Sequence, residues 1–240
     1  MIDQQDSTEF VSAFVAAVRP AEPRGRPGWW MLMVAIGVVF AVSLASLLNG
    51  AIRGSGTATA ATTLDAVAGP GCGNAATSFT KVGYYTGTAK KADDWTTSKT
   101  GGYRGSGCTG AFVSLPLSGH PDAYHSGRYA LWTFHLGAGL EKGASCTMWQ
   151  YIPDVHKLSV VGGNPAHYFV YQGAYVTGSI AKVIGNFELD QVKDRGKWVQ
   201  AGGFSVTGTV ASVRLVDAGS SRRVRAAAAQ VRLECSAKCR

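Results

Sequence analysis

The stretch YALWTFHL at residues 129–136 decides the reading of this 240-residue chain. Ala130, Trp132, Phe134 and Leu136 occupy every second position. Successive side chains of a strand point to opposite faces, so this alternation predicts a strand with one face in a core. A buried helix would need apolar residues at three- and four-residue spacing, and no run after residue 75 holds that period for twelve residues. Outward from this stretch the pattern recurs. SFTKVGYY at 78–85 has the β-branched and aromatic content of a strand. CTMWQYI at 146–152 stops at Pro153, and AHYFVY at 166–171 follows the turn residues Gly162-Gly163-Asn164-Pro165. Runs at 197–204, 211–216 and 225–234 complete the series. In the last of them Val231, Leu233 and Cys235 share one face and Gln230, Arg232 and Glu234 the other. That is the pattern of a sheet with one buried side. Many short strands joined by Gly-rich turns predict an all-β sandwich or barrel.

Upstream the composition changes. Residues 29–48 read WWMLMVAIGVVFAVSLASLL, twenty residues without a charge. As a helix this run is about 30 Å long, the thickness of a bilayer's hydrocarbon core, and a helix satisfies its own backbone there. Arg19, Arg24 and Arg26 precede it, whereas only Arg53 follows closely. Basic residues stay on the cytoplasmic side, which predicts a signal anchor with the N-terminus inside and the C-terminal bulk outside. Trp29 and Trp30 suit the headgroup edge. Two other readings stand beside this one: a cleaved signal peptide, with small residues such as Ala58-Thr59-Ala60 as cleavage sites, and a buried core helix. Residues 10–18 have helical spacing and could dock a partner, lie on the membrane or form a plain tail. The expected organisation is a cytoplasmic tail at 1–28, a transmembrane helix at 29–48, a Gly/Ala/Thr-rich linker at 49–74, an extracytoplasmic β-sandwich at 75–236 and a tail at 237–240.

All five cysteines, Cys72, Cys108, Cys146, Cys235 and Cys239, follow the apolar run, and none forms a CxxC pair. Zinc ribbons and thioredoxin-like sites have no support, and disulfides suit an oxidising space. Connectivity is open from sequence. The favoured pairs are Cys72–Cys108 and Cys146–Cys235, with Cys239 free. From residue 49 onward 20 basic residues face 11 acidic ones. This excess favours anionic surfaces such as wall polymers or lipid headgroups, although ordinary solubility explains it as well. Nucleic acid is not an expected partner outside a cell.

A family resemblance follows from ordered motifs. Trp132-Thr133-Phe134 precedes Gly137 and Gly139, and Tyr151-Ile152-Pro153 ends a strand. Asn164-Pro165-Ala166-His167-Tyr168-Phe169-Val170 comes next, then Asp190-Gln191, Gly196-Lys197-Trp198-Val199 and Gly203-Phe204. Val213-Arg214-Leu215 and Val231-Arg232-Leu233 close the series. In order, these elements resemble the golvesin and xanthan-lyase C-terminal domain, a carbohydrate-binding-like module. The resemblance implies a jelly-roll-like, galactose-binding-like β-sandwich and places Trp132 and Trp198 at core positions. It departs at Ala228-Ala229-Gln230, where the family carries an acid before V-R-L. Fold alone does not fix a ligand.

No GxSxG, HExxH or phosphate-cradling GxxxxGK occurs, the five histidines lack metal spacing, and Asp93-Asp94 is the only adjacent acidic pair. Neighbours on a strand point to opposite faces, so that pair is a poor acid/base couple. The chain is read as a non-enzyme with no metal and no cofactor. Binding candidates are better represented. Trp95, in the polar run KKADDWTTSKT, is the tryptophan expected to be exposed, with a structural and a sugar-stacking role both open to it. Arg222, Arg223 and Arg225 are expected at a hairpin tip between the last two strands. There three guanidiniums suit phosphates or uronic acids, and a solvated loop is the plainer reading. The chain therefore reads as a single-pass cell-membrane protein whose ectodomain binds cell-wall glycan or an anionic polymer. The alternative is an accessory ectodomain that binds another protein. A concave face lined with Trp, Tyr and polar groups would favour the first reading, and exposed apolar patches without a groove the second.

Overall fold

Residues 62–87, 93–125, 127–178 and 181–238 are described in a computed structural model. Among them there are fourteen strands and no α-helix. The expected tail, membrane span, start of the linker and Cys239 lie outside the described residues.

Two antiparallel sheets carry most of the fold. The first has four strands in the order β1 (Thr63–Ala68), β14 (Val231–Ala237), β8 (Ala144–Ile152) and β11 (Lys197–Val206). The second has five, in the order β10 (Val183–Leu189), β9 (Ala166–Gln172), β12 (Val210–Val216), β7 (Tyr129–His135) and β2 (Thr77–Val82). A third sheet joins β13 (Arg225–Ala228), β6 (Phe112–Pro116) and β3 (Thr96–Ser98), and a short hairpin pairs β4 (Arg104–Gly105) with β5 (Cys108–Thr109).

The core confirms the period-two reading. Ala130, Trp132, Phe134 and Leu136 are fully buried, and they share one cluster with Met148, Leu233 and Cys146 of the opposite sheet. Each large apolar side chain so buried contributes about 1.5–3 kcal/mol. Both favoured disulfides form. Cys146 and Cys235 are direct cross-strand partners on the inner face of the first sheet. Cys72 bridges to Cys108 outside the main sheets.

Two expectations are corrected. Thr63–Ala68, read as part of a flexible linker, is edge strand β1 and pairs along its length with β14. Its small residues suit the sheet because Ala66 and Ala68 pack into the core. The run at 225–234, read as one strand, breaks into β13 and β14, which belong to different sheets. The segment at 220–225 therefore passes from the second sheet to the third and is not a hairpin tip.

Two buried glutamines secure the connections. Gln191 donates to Tyr168 Oη and Ala227 O and accepts from Ala227 N–H, at 2.8, 2.9 and 2.7 Å. Gln230 donates to Pro70 O at 3.0 Å and Ala111 O at 2.6 Å, and accepts from Tyr103 N–H at 2.8 Å. A carboxylate at Gln230 would accept but not donate, so an amide fits where the resemblance expects an acid.

Candidate functional site

The outer face of the four-stranded sheet is built by register. Val67, Arg232, Trp149 and Gln200 stand side by side across the four strands, and Asp65, Glu234 and Thr147 form the next row. Tyr151 and Trp198 are paired on the other side of the Trp149 row. A loop wall rises beside this face. The Cys72–Cys108 bridge, with Thr109 N–H donating to Gly71 O at 3.0 Å and Gly73 N–H to Gly107 O at 3.2 Å, ties the turn after β1 to the β4–β5 hairpin. Ser106 and Gly107 both have positive φ, 49° and 78°, as a two-residue type I′ hairpin loop requires.

Between wall and sheet lies a cavity of about 220 Å³, lined by Asp65, Val67, Asn74, Tyr103, Ser106, Trp198 and Arg232. Its aromatic side is a cluster. The Tyr103 and Trp198 ring centroids are 4.9 Å apart, edge to face, and Tyr151 backs both at 5.9 and 5.5 Å. Tyr103 is aimed by two devices: its N–H is held by Gln230, and its ring lies over Gly105. A Cβ at Gly105 would sit 2.5 Å from the Tyr103 hydroxyl oxygen.

The polar side is charged and preorganised. Arg232 grips Asp65 with two hydrogen bonds of 2.7 Å each, and Nη2 also meets Glu234 at 2.8 Å. Trp149 Nε1–H donates to the other Glu234 oxygen at 3.0 Å. Hydrogen bonding from Arg232 holds the Asp65 carboxyl below its usual range, and the same pair raises Arg232. Burial, aided by the Asp154 carboxylate, pushes the Tyr151 phenol up. Asn74 accepts from Ala76 N–H through Oδ1 at 2.9 Å, which leaves its amide NH2 as a donor.

The structure reassigns the residues singled out from sequence. Trp95 is only 1% exposed, which corrects the expectation of an open ring. Its Nε1–H donates to Gly83 O at 3.0 Å and its ring packs on Tyr84, so a polar sequence context surrounds a satisfied core residue. Arg222, Arg223 and Arg225 do not form one exposed group. Arg225 is buried, donating to Asp94 O at 3.0 Å and Ser159 O at 2.9 Å. Arg222 is exposed but donates to Ser118 O at 2.8 Å, and Arg223 is exposed. None of the three, nor Trp95, lines the cavity.

Trp198 moves the other way. Counting back in twos from buried Phe204 places it inside, as the resemblance implies. A β-bulge between Gln200 and Gly202 shifts the register and turns Trp198 to the outer face, opposite Tyr151. Asp65 was missed because its strand resembles a tether. Arg232 and Glu234 were legible as an outward pair, but their partners were not. Among the described residues no group of three His, Cys, Asp or Glu residues is placed to hold a metal.

No protein-family model matches the chain, and no curated protein matches it. Among solved structures the chain is similar to the K1 cleaved adhesin domain of Lys-gingipain from Porphyromonas gingivalis W83, at 13% identity and a TM-score of 0.39, covering 75% of this chain and 99% of that one. It is also similar to the K3 cleaved adhesin domain of the same protein, at 14% identity and a TM-score of 0.31, covering 59% and 88%.

Proposed function

We propose that this β-sandwich is a non-catalytic module that binds cell-envelope carbohydrate through the outer face of its four-stranded sheet. The observation that carries the reading is the cavity itself: the Tyr103–Trp198 aromatic pair beside the Asp65–Arg232 pair. Sugars present apolar C–H faces and hydroxyl rims, so a binding site for them needs aromatic surface next to fixed donors and acceptors. The site is smaller than the roughly 300–1,000 Å³ pockets of drug-sized ligands, which suits one ring of a longer chain.

The remaining parts of the reading rest on sequence. The golvesin-type, jelly-roll-like assignment is supported by the order of its motifs. The apolar run at 29–48 and the arginines before it support a single-pass anchor with the sandwich outside the cytoplasmic membrane. Two disulfides suit that oxidising space.

The test is retention of the detergent-solubilised full chain on purified cell-wall polysaccharide. The parent chain is retained, and Trp198→Ala loses about tenfold or more in affinity, the effect of removing a central aromatic anchor worth about 1.4 kcal/mol or more. Equal retention of parent and variant, with equal melting, removes the cavity as the site.

A further inference from the structure

We infer, resting on the carbohydrate reading above, that the cavity selects neutral sugars through adjacent hydroxyl groups and rejects uronic-acid and phosphate-bearing chains, against the net charge of the protein. The chain carries +8, and that excess alone points toward anionic polymers. The cavity is different. Its only basic lining residue is Arg232, and the two carboxylates that Arg232 contacts, Asp65 and Glu234, leave the group one negative charge in excess.

The donors of Arg232 are largely committed. Nε and Nη2 hold Asp65, and Nη2 also meets Glu234. A guanidinium has five N–H groups, so Nη1 keeps its two for a ligand. An incoming carboxylate or phosphate would approach Nη1 within reach of two like charges, or would have to displace Asp65 from a bidentate pair. A hydroxyl meets no such opposition. One sugar hydroxyl accepts from Arg232 Nη1, and its neighbour donates to a remaining Asp65 lone pair, while the ring lies against Trp198 and Tyr103. Of the other basic side chains near this face, Lys197, next to Trp198 on the strand, is paired with Asp194 at 2.8 Å, and Arg104, whose side chain lies against Gly110, does not line the cavity. Local charge at the contact, and not the total, governs a site within a Debye length of its ligand.

The experiment measures binding of the full chain, in detergent, to three immobilised probe sets: neutral gluco-, galacto-, manno- and xylo-oligosaccharides, oligogalacturonate, and chitosan oligosaccharides. Each is run at about 0.1 M and about 1 M salt, where the Debye length is about 10 and 3 Å. The expected result is binding to a neutral probe that changes less than about twofold with salt and exceeds oligogalacturonate by about tenfold or more. Asp65→Asn should weaken the neutral probe by about tenfold, since hydrogen bonds to charged groups are the strong ones. Asp65→Asn should also bind oligogalacturonate better than the parent does, because it removes one of the two opposing carboxylates. Preference of the parent chain for oligogalacturonate overturns the inference and leaves the carbohydrate reading standing. So does tightest binding to chitosan oligosaccharide with loss in high salt. If the parent chain binds none of the three sets, the carbohydrate reading itself falls. Should Asp65→Asn fail to fold, the parent's probe preference and salt response still decide.

Discussion

The sandwich contains the tripeptide Val-Arg-Leu twice, once in each main sheet, and the two copies have opposite fates. Arg214 in β12 and Arg232 in β14 both leave the core on the outer face of their sheets, flanked by fully buried Val213 and Leu215 or Val231 and Leu233. Arg214 is only 3% exposed. Chain 173–178 covers it: Tyr175 N–H donates to Ser212 Oγ at 3.1 Å, Ser212 Oγ–H to Gly173 O at 2.8 Å, and Thr177 meets the Tyr129 hydroxyl at 2.6 Å. Arg214 donates to the Tyr175 hydroxyl and, at 2.7 Å, to Tyr124 O, with its guanidinium 4.6 Å from the Tyr175 ring centroid. No carboxylate is paired with it among the described ion pairs. The Arg232 side chain is 36% exposed, is paired with two carboxylates and faces a cavity. One arginine fastens a loop onto a sheet and the other furnishes an open face. The difference lies in what neighbours each strand, not in the strands.

That contrast sets the mutational expectations. Arg214→Ala should lower stability by about 2–4 kcal/mol, because it removes two charge-assisted hydrogen bonds and strips the covered aromatic cluster of its centre. Arg232→Ala should cost below about 1 kcal/mol, the range of exposed ion pairs, while weakening ligand retention. Paired thermal melts read both, and equal losses would erase the distinction between a fastening and a binding arginine.

Gln230 comes next in size. Gln230→Glu leaves Pro70 O and Ala111 O without their donor and places a carboxylate in a buried position. A destabilisation of about 1–3 kcal/mol is expected, with release of the Tyr103 wall. Denaturant titration, with limited proteolysis at 69–74 and 103–111, reads both effects. A fully stable variant would show that the amide is not what secures the wall.

The smallest effect is the pH response of the open face. Asp65 has a depressed folded-state pKa, so its pairing is fully present above its ordinary value of 3.8 and is lost as the pH falls through the lower folded value. With the Asp65 side chain 59% exposed, the contribution stays below about 1 kcal/mol. Retention should therefore be level from about pH 5 upward and fall only in acid below the usual carboxylate range. A step near neutrality would point to a titrating group other than Asp65.

Much of the fold was legible because strands such as β7, β8 and β14 keep period two along their length. YALWTFHL needed no tertiary information, and the cysteines fell near strands that bring them together. The site was less legible, for three physical reasons. A bulge between Gln200 and Gly202 turns Trp198, which the resemblance places in the core, to the outer face. Trp95 is buried although its neighbours in sequence are polar, because its ring has a carbonyl partner and a tyrosine to pack on. Asp65 sits in a strand of small residues whose register is supplied by β14 rather than by its own pattern. Loop placement, as for Asn74, Tyr103 and Ser106, depends on the Cys72–Cys108 bridge and on Gln230, which join residues far apart in the chain.

Binding at the open face is measured most directly by hydrogen exchange of the full chain with and without cell-wall polysaccharide. Binding at the open face predicts slowed exchange in peptides covering 69–76 and 101–108, with no change in 173–178. Protection of 173–178 with none at 69–76 or 101–108 would place the binding face on the other sheet and contradict binding at the open face.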